Sequence, residues 1–442
     1  MKISRNSVVG VFGYGVTGRS VIKYLSKFGY DLVVFDSRMP PKNFLHLPSV
    51  EYRWQVEKWV ATDIQTLFVS PGLRLDLPVL KQAREQGVEI VSDLDLFFLE
   101  IDKPVFGITG TNGKSTVTSM LSHVFSTNGY NSICGGNLGV PALDLIASDA
   151  DVYVLELSSF QLERTSPQRF EAATILNISE DHLDHHLSID EYIRSKHKIF
   201  SKSKLRVFNR DDQNTIPTQK EGTISFGSLI STDGNDWGVT ECDGEKWATL
   251  AGDKIVRLGH LITNCRHEEL NILCVIALAS NFVEPINVVK SLESFEGLDH
   301  RFNRVARHKG VDYINDSKAT NLGALKFALE NFTRENVVLI AGGDGKGSTF
   351  ELFPEIIKGK LKALILLGQD AAKMAYISKS LNIVTYQVRS IEAAVTKSFT
   401  IAESGDTVLL SPGCSSLDMF KNFEERGHRF ESAVRELVGQ EV

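Results

Sequence analysis

The run Gly110-Thr111-Asn112-Gly113-Lys114-Ser115-Thr116 constrains this chain more than any other segment. The apolar residues Val105 to Ile108 before it read as a strand, and a helix pattern follows from Thr116 to Thr127, ending before Gly129. A glycine loop between strand and helix turns backbone N–H groups toward one point, and the helix N-terminus adds partial positive charge. Lys114 is then placed to neutralise the β- and γ-phosphates of a nucleotide, and Ser115 or Thr116 to put a hydroxyl on Mg²⁺. Strict Walker spacing needs glycine at position 108, where this chain has Ile108, so the loop is a variant. The bland alternative is an ordinary strand-to-helix turn. Gly-Lys-Ser between both flanking elements favours phosphate binding.

Phosphate-loop enzymes hold their metal with an acid at a neighbouring strand end. Glu156 closes the apolar run from Val152 and precedes Ser158-Ser159, which makes it the candidate Mg²⁺ ligand; a solvated strand-end glutamate is the alternative. A strand from Ala173 to Ile178 leads into Ser179-Glu180-Asp181-His182-Leu183-Asp184-His185-His186. His182 and His186 have i, i+4 spacing, which suits zinc, but no cysteine accompanies them and a phosphate loop lies upstream, which favours Mg²⁺. Lys196, on a helix expected from Asp190 to Phe200, reads from the residues alone as part of a solvated basic face with Arg194 and Lys198.

At 442 residues the chain exceeds one ordinary core. Strand and helix patterns separate three regions: 1–101, 102–298 and 299–442. The expected fold is α/β throughout: an N-terminal Rossmann-like domain, a central P-loop mononucleotide-binding domain, and a C-terminal Rossmann-like, doubly wound parallel sheet. The stretch from Gly222 to Leu258 reads as short antiparallel strands. Two linkers, near 101 and 298, predict domain closure around ligands. A net charge of −7 disfavours nucleic acid and anionic membranes as partners. Five cysteines without a Cys-x-x-Cys pair favour a reduced, cytoplasmic setting. No apolar run approaches bilayer-spanning length and no signal-peptide pattern opens the chain.

In the first region Gly13-Tyr14-Gly15-Val16-Thr17-Gly18 follows a strand and opens a helix, with Asp36 at the end of the next strand. This matches a dinucleotide fingerprint and alone would predict a nicotinamide enzyme. The second nucleotide loop, and the lack of a dehydrogenase acid–base set, favour a UDP-type ligand; a purely structural turn stays open. In the third region Asn315-Asp316-Ser317-Lys318-Ala319-Thr320-Asn321, Gly342-Gly343-Asp344-Gly345-Lys346-Gly347 and Ser411-Pro412-Gly413-Cys414-Ser415-Ser416 each follow a strand. Lysine and hydroxyl side chains at three strand ends suit an anionic amino acid.

Taken in order, these motifs and His300-Arg301-Phe302 resemble the Mur ligase family over essentially the whole chain. The Asp-Asn-Pro-Arg run typical of the member that adds a diamino acid is absent, and the last motif, with Phe423 and Gly427 beyond it, is the most member-specific. The resemblance implies an ATP-dependent amide ligase with UDP-N-acetylmuramoyl-L-alanine, D-glutamate and ATP as substrates, acting through an acyl phosphate in cytoplasmic peptidoglycan precursor synthesis. It also implies a monomer and two Mg²⁺ ions. Lys114, His182 and Lys196 become the implied catalytic residues. ATP is implied at Gly110, Thr111, Asn112, Gly113, Lys114, Ser115, Thr116, Asn271, Arg301 and Asp316. Val16, Thr17, Asp36, Ser37, Arg38, Gly72 and Asn137 resemble the UDP-sugar site. Lys318, Thr320, Lys346, Ser416 and Phe423 resemble the D-glutamate site. The metal set is Ser115, Glu156, His182 and Lys196, with Lys196 resembling a lysine that relatives carbamylate. Glu268 stands where the family commonly has Asn, which puts an adenine-side contact in question.

Overall fold

The alternating patterns resolve into three sheets in a computed structural model that describes residues 7–42, 44–59, 63–181, 185–232, 234–261 and 266–440. The first sheet holds β1 (Val8–Phe12), β2 (Leu32–Asp36), β3 (Val50–Trp54), β4 (Ile64–Val69) and β5 (Glu89–Val91), all parallel. Their spatial order is β3-β2-β1-β4-β5, so the winding reverses between β1 and β4. That is where such sheets open a crevice for ligands.

The second sheet comprises β6 (Val105–Thr109), β7 (Ser132–Gly136), β8 (Val152–Glu156), β9 (Ala172–Ile175), β10 (Leu205–Asn209), β11 (Thr223–Phe226), β12 (Trp237–Cys242), β13 (Glu245–Leu250) and β14 (Asp253–Arg257). Its order is β14-β13-β12-β11-β10-β9-β6-β8-β7. The antiparallel expectation for 222–258 holds for β12 to β14. It fails for β11, which pairs parallel with β10 and touches β12 in parallel at one position. The segment between β10 and β11 is long enough to cross back, so β11 extends the parallel sheet.

The third sheet holds β15 (Asn303–His308), β16 (Val311–Asn315), β17 (Val337–Ala341), β18 (Leu361–Leu366), β19 (Val384–Gln387) and β20 (Thr407–Leu410), in the order β15-β16-β20-β17-β18-β19. It is parallel as expected except at its edge. β15 forms an antiparallel hairpin with β16 through Lys309-Gly310, both at positive φ, the turn geometry that fits strand twist.

The chain divides into two compact units, the first containing the first two sheets and the second the third sheet. Several element boundaries also differ from the pattern reading, among them three by two residues or more. The helix after the phosphate loop is Lys114–Thr127, two residues earlier, because Gly113 at φ +82° already turns the backbone into it. β9 stops at Ile175, and Asn177 just beyond it is bonded to the loop. The helix Ile189–His197 gives way to a 3₁₀ turn, Lys198–Phe200.

Candidate active site

β6 lies between β9 and β8, and its carboxyl end delivers the phosphate loop. Three hydrogen bonds to one residue hold the loop's shape. The Asn112 N–H donates to Asn177 Oδ1 at 2.8 Å, and Asn177 Nδ2 returns a bond to the Asn112 carbonyl at 3.1 Å. The Thr111 N–H donates to the Asn177 carbonyl at 2.8 Å. A Cβ on Gly113 would lie 3.3 Å from Asn271 Oδ1, which places Asn271 against the loop. The ammonium of Lys114 curls back to the carbonyls of Gly110 and Thr111, at 2.9 and 2.8 Å. Ser115 is buried in the first turn of the following helix. Thr116 follows it in the same turn and is half-buried.

Glu156 ends β8, beside β6, and is 3% exposed. Its Oε1 accepts from Asn137 Nδ2 at 2.6 Å. Its buried Oε2 has no hydrogen-bond partner among the described residues. A buried carboxylate oxygen without a donor is costly unless a cation or water completes it. Glu156 therefore fits a divalent cation. Lys196, 1% exposed, donates to the Gly110 carbonyl at 2.9 Å and sits 4.6 Å from the centre of the Tyr192 ring. The reading of Lys196 as part of a solvated face is thus overturned: Arg194 and Lys198 are exposed, while Lys196 lies on the side of the helix turned to the loop. His182 and the Glu268 side chain lie outside the described residues. His186 is buried, with Nε2 2.9 Å from Ser159 Oγ. Glu163, His185 and His186 come within 4.8 Å of one another through one ligand atom each. Glu163 also lies 3.8 Å from the Arg164 guanidinium, and Lys198 donates to its carbonyl, so cations already surround that acid.

In the same compact unit, a cleft of about 570 Å³ opens at the switch point of the first sheet. Val16, Thr17, Asp36, Ser37, Arg38, Gly72 and Asn137 all line it. Gly18 lets the helix Val16–Lys27 approach the turn, since a Cβ there would meet the Gly13 carbonyl oxygen at 1.9 Å. Asp36 is fully engaged within the chain. Its two oxygens accept from the Tyr14 N–H at 2.8 Å, the Arg38 N–H at 2.9 Å, and the Arg38 guanidinium at 2.9 and 2.8 Å. Burial pulls its carboxyl upward, but the Arg38 side chain and the two N–H donors outweigh this and hold it below the usual range. Asp36 thus anchors the exposed Arg38 at the cleft's edge.

In the third sheet, β16, β20 and β17 are neighbours, and their carboxyl ends carry the three predicted motifs. The Lys318 ammonium lies 4.0 Å from the centre of the Phe423 ring. Backbone bonds between Asp344 and Ser415 tie two of the loops together. Thr320 donates its N–H to the Lys318 carbonyl. Lys346, at φ +49°, donates its N–H to Asp344 Oδ1 at 2.8 Å, and Ser416 is buried. Asp316 accepts from the Ser411 hydroxyl at 2.8 Å, and burial raises its carboxyl to about 7. Arg301, the other nucleotide contact expected here, directly follows His300 before β15.

Three residues at these sites were invisible to pattern reading. Gln161 lines the cleft. Arg164 and Arg426 are buried arginines that serve backbone carbonyls. The Arg426 guanidinium binds the Ser317 and Cys414 carbonyls at 2.8 and 3.2 Å, under the loops that carry Lys318 and Ser416. A lone arginine in a helix reads as surface, and no local signal marks it otherwise.

A lysine–serine phosphate loop, a buried acid on the adjoining strand and a separate cleft at a Rossmann-type switch point define a P-loop nucleotide enzyme with a second ligand site. Comparison with known proteins specifies it further. Residues 7–92 match the model of the Mur ligase MurD-like N-terminal domain, 108–279 the Mur ligase middle domain, and 300–414 the Mur ligase glutamate ligase domain. UDP-N-acetylmuramoylalanine--D-glutamate ligase of Pseudomonas aeruginosa is 41% identical over 440 residues, covering 97% of this chain and 98% of that protein. The enzyme of the same name from Saccharophagus degradans is 37% identical, covering 98% and 99%. Among solved structures, MurF ligase of Thermotoga maritima in complex with ADP superposes with a TM-score of 0.61 at 17% identity, covering 99% of this chain and 96% of that one. The chain belongs to the Mur ligase family.

Proposed function

We propose that the chain joins D-glutamate to UDP-N-acetylmuramoyl-L-alanine with ATP. One hydrogen bond carries this reading: Asn137 lines the cleft and donates to Glu156, the acid at the strand end beside the phosphate loop. The proposed UDP-sugar and ATP sites thereby adjoin at a single pair of side chains.

In the proposed reaction an oxygen of the alanyl carboxylate attacks the γ-phosphorus, the bond to ADP breaks, and an acyl phosphate forms. The D-glutamate amine then attacks the acyl carbon and loses a proton. Inorganic phosphate leaves with one former carboxylate oxygen, and an amide remains. The chain's share is placement and charge. Lys114 and the loop N–H groups hold the phosphates. Ser115 and Glu156 would hold Mg²⁺, with His182 and a carbamate on Lys196 completing a two-ion set. When bound, Mg²⁺ supplies stabilisation of the transferring phosphoryl charge. Asn271, Arg301 and Asp316 would contact the nucleotide. Val16, Thr17, Ser37, Arg38 and Gly72 would enclose the UDP moiety. Lys318, Lys346, Thr320 and Ser416 would receive the carboxylates of D-glutamate, with Phe423 beside Lys318. The same reading makes the chain a cytoplasmic monomer; among the described residues no helix is long and apolar enough to cross a membrane.

Phosphate release should require the UDP-sugar, ATP and D-glutamate together, and fall to background with L-glutamate or L-lysine. Equal release with all three amino acids would refute the substrate assignment. Lys114→Ala should lower turnover about 10² to 10³-fold, the typical loss for one such electrostatic contact; near-normal turnover would remove ATP from the loop.

A further inference from the structure

We propose that Arg164 is the positioning residue of the sugar-nucleotide cleft: from the helix Ser159–Arg164 it clamps the loop 70–73 of the first sheet into the shape that receives the UDP moiety. The inference rests on the reading of that cleft as the UDP-sugar site.

The Arg164 side chain is fully buried. Its Nη1 donates to the Ser70 carbonyl at 2.8 Å, and its Nη2 to the carbonyls of Pro71 and Leu73 at 2.9 Å each. Nε donates to the Phe160 carbonyl of its own helix at 2.7 Å, which fixes the fork's direction. Three carbonyls within four residues thus turn toward one planar cation. A lysine ammonium, a point charge on a flexible stem, cannot reproduce that span. Burial lowers the guanidinium to about 10, so it stays charged at neutral pH.

Arg164 does not line the cleft, but Ser70, Pro71, Gly72 and Leu73 do. The clamp reaches further, because Ser70 Oγ donates to the Gly13 carbonyl at 2.9 Å and so braces the glycine turn. One turn before Arg164, Gln161 lines the same cleft. The phosphate loop is held separately by Asn177. Loss of Arg164 should therefore weaken one nucleotide site and spare the other. The junction also has independent bonds: Ser166 N–H and Gln168 Nε2 to Asp95 at 2.9 and 2.7 Å, and Thr165 to Ser92 at 3.0 Å. These should keep an Arg164 variant folded.

Arg164→Met removes the donors and keeps the stem, while Arg164→Lys keeps the charge. Calorimetric titration with UDP and, separately, ADP reads the two sites. Hydrogen exchange of peptides covering 68–77 reads the loop itself. UDP affinity should fall about tenfold in Arg164→Met, the scale of one lost charge-assisted hydrogen bond, with ADP affinity unchanged. Exchange across 68–77 should rise, and Arg164→Lys should recover only part of the UDP affinity. Unchanged UDP affinity, or parallel loss of UDP and ADP binding, would overturn the clamp. A wild-type chain that binds no UDP, with exchange still rising in Arg164→Met, would uphold the clamp and overturn the reading of the cleft.

Discussion

Lys196 is one of three cations spaced along a helix that reads as solvated, yet it is buried against the phosphate loop while Arg194 and Lys198 face outward. Helix geometry explains the difference. Tyr192 and Lys196 are four residues apart and share a face, and Thr111 Oγ1 lies 3.1 Å from the Tyr192 hydroxyl. If Lys196 carries a carbamate, Lys196→Ala should be inactive, and a short free carboxylate such as formate should restore part of the rate. Full activity in Lys196→Ala would remove that role. Asp316 makes a second test. Its carboxyl is raised from 3.8 to about 7 by burial, so the folded state favours the protonated form. That contribution to stability is complete below the unfolded pKa and is lost as pH rises through the folded one. Between pH 5 and pH 8 the wild-type chain should lose about 1 to 2 kcal/mol that Asp316→Asn does not lose, less than the full shift would give because Asp316 is only half-buried. Denaturation midpoints at both pH values check this; parallel losses would place the ionised form of Asp316 in a better-solvated site.

At the scale of elements, the strand–loop–helix units were the most legible part of the chain. A buried parallel strand is an apolar run, and a glycine cluster beyond it marks the turn. β1, β6, β17 and β20 follow this rule, and the candidate site residues of the two nucleotide loops sit at the ends of β1 and β6. β3 and β7 do not: both are largely half-buried edge strands, Val50-Glu51-Tyr52-Arg53-Trp54 alternating apolar and polar residues instead of forming an apolar run, and Ser132-Ile133-Cys134-Gly135-Gly136 having no clean period. Element ends were misplaced where tertiary bonds decide them, as when Asn177 leaves β9 to hold the phosphate loop. Gly18 packs directly against the Gly13 carbonyl and leaves no room for a Cβ. Gly18→Ala should destabilise the chain by about 1 to 3 kcal/mol, the usual penalty for overpacking, and weaken UDP binding together with it. A thermal midpoint and UDP affinity both equal to the wild type would show that the turn tolerates the extra carbon.

For the molecule as a whole, the residues proposed to contact ligands were more legible than those that hold them in place. Lys114, Glu156 and the three strand-end motifs of the third sheet lie at or just beyond the carboxyl ends of apolar strands, which the residue pattern marks. Arg164 and Arg426 act on carbonyls far away in sequence, and such contacts leave no periodic trace. The proposed chemistry has two nucleotide-type sites serve one phosphoryl transfer to a carboxylate. UDP-N-acetylmuramoyl-L-alanine labelled with ¹⁸O in its alanyl carboxylate, turned over with ATP and D-glutamate, tests it most directly. The acyl-phosphate route predicts inorganic phosphate carrying one labelled oxygen for each amide formed from a fully labelled carboxylate. Amide product with unlabelled phosphate would contradict it.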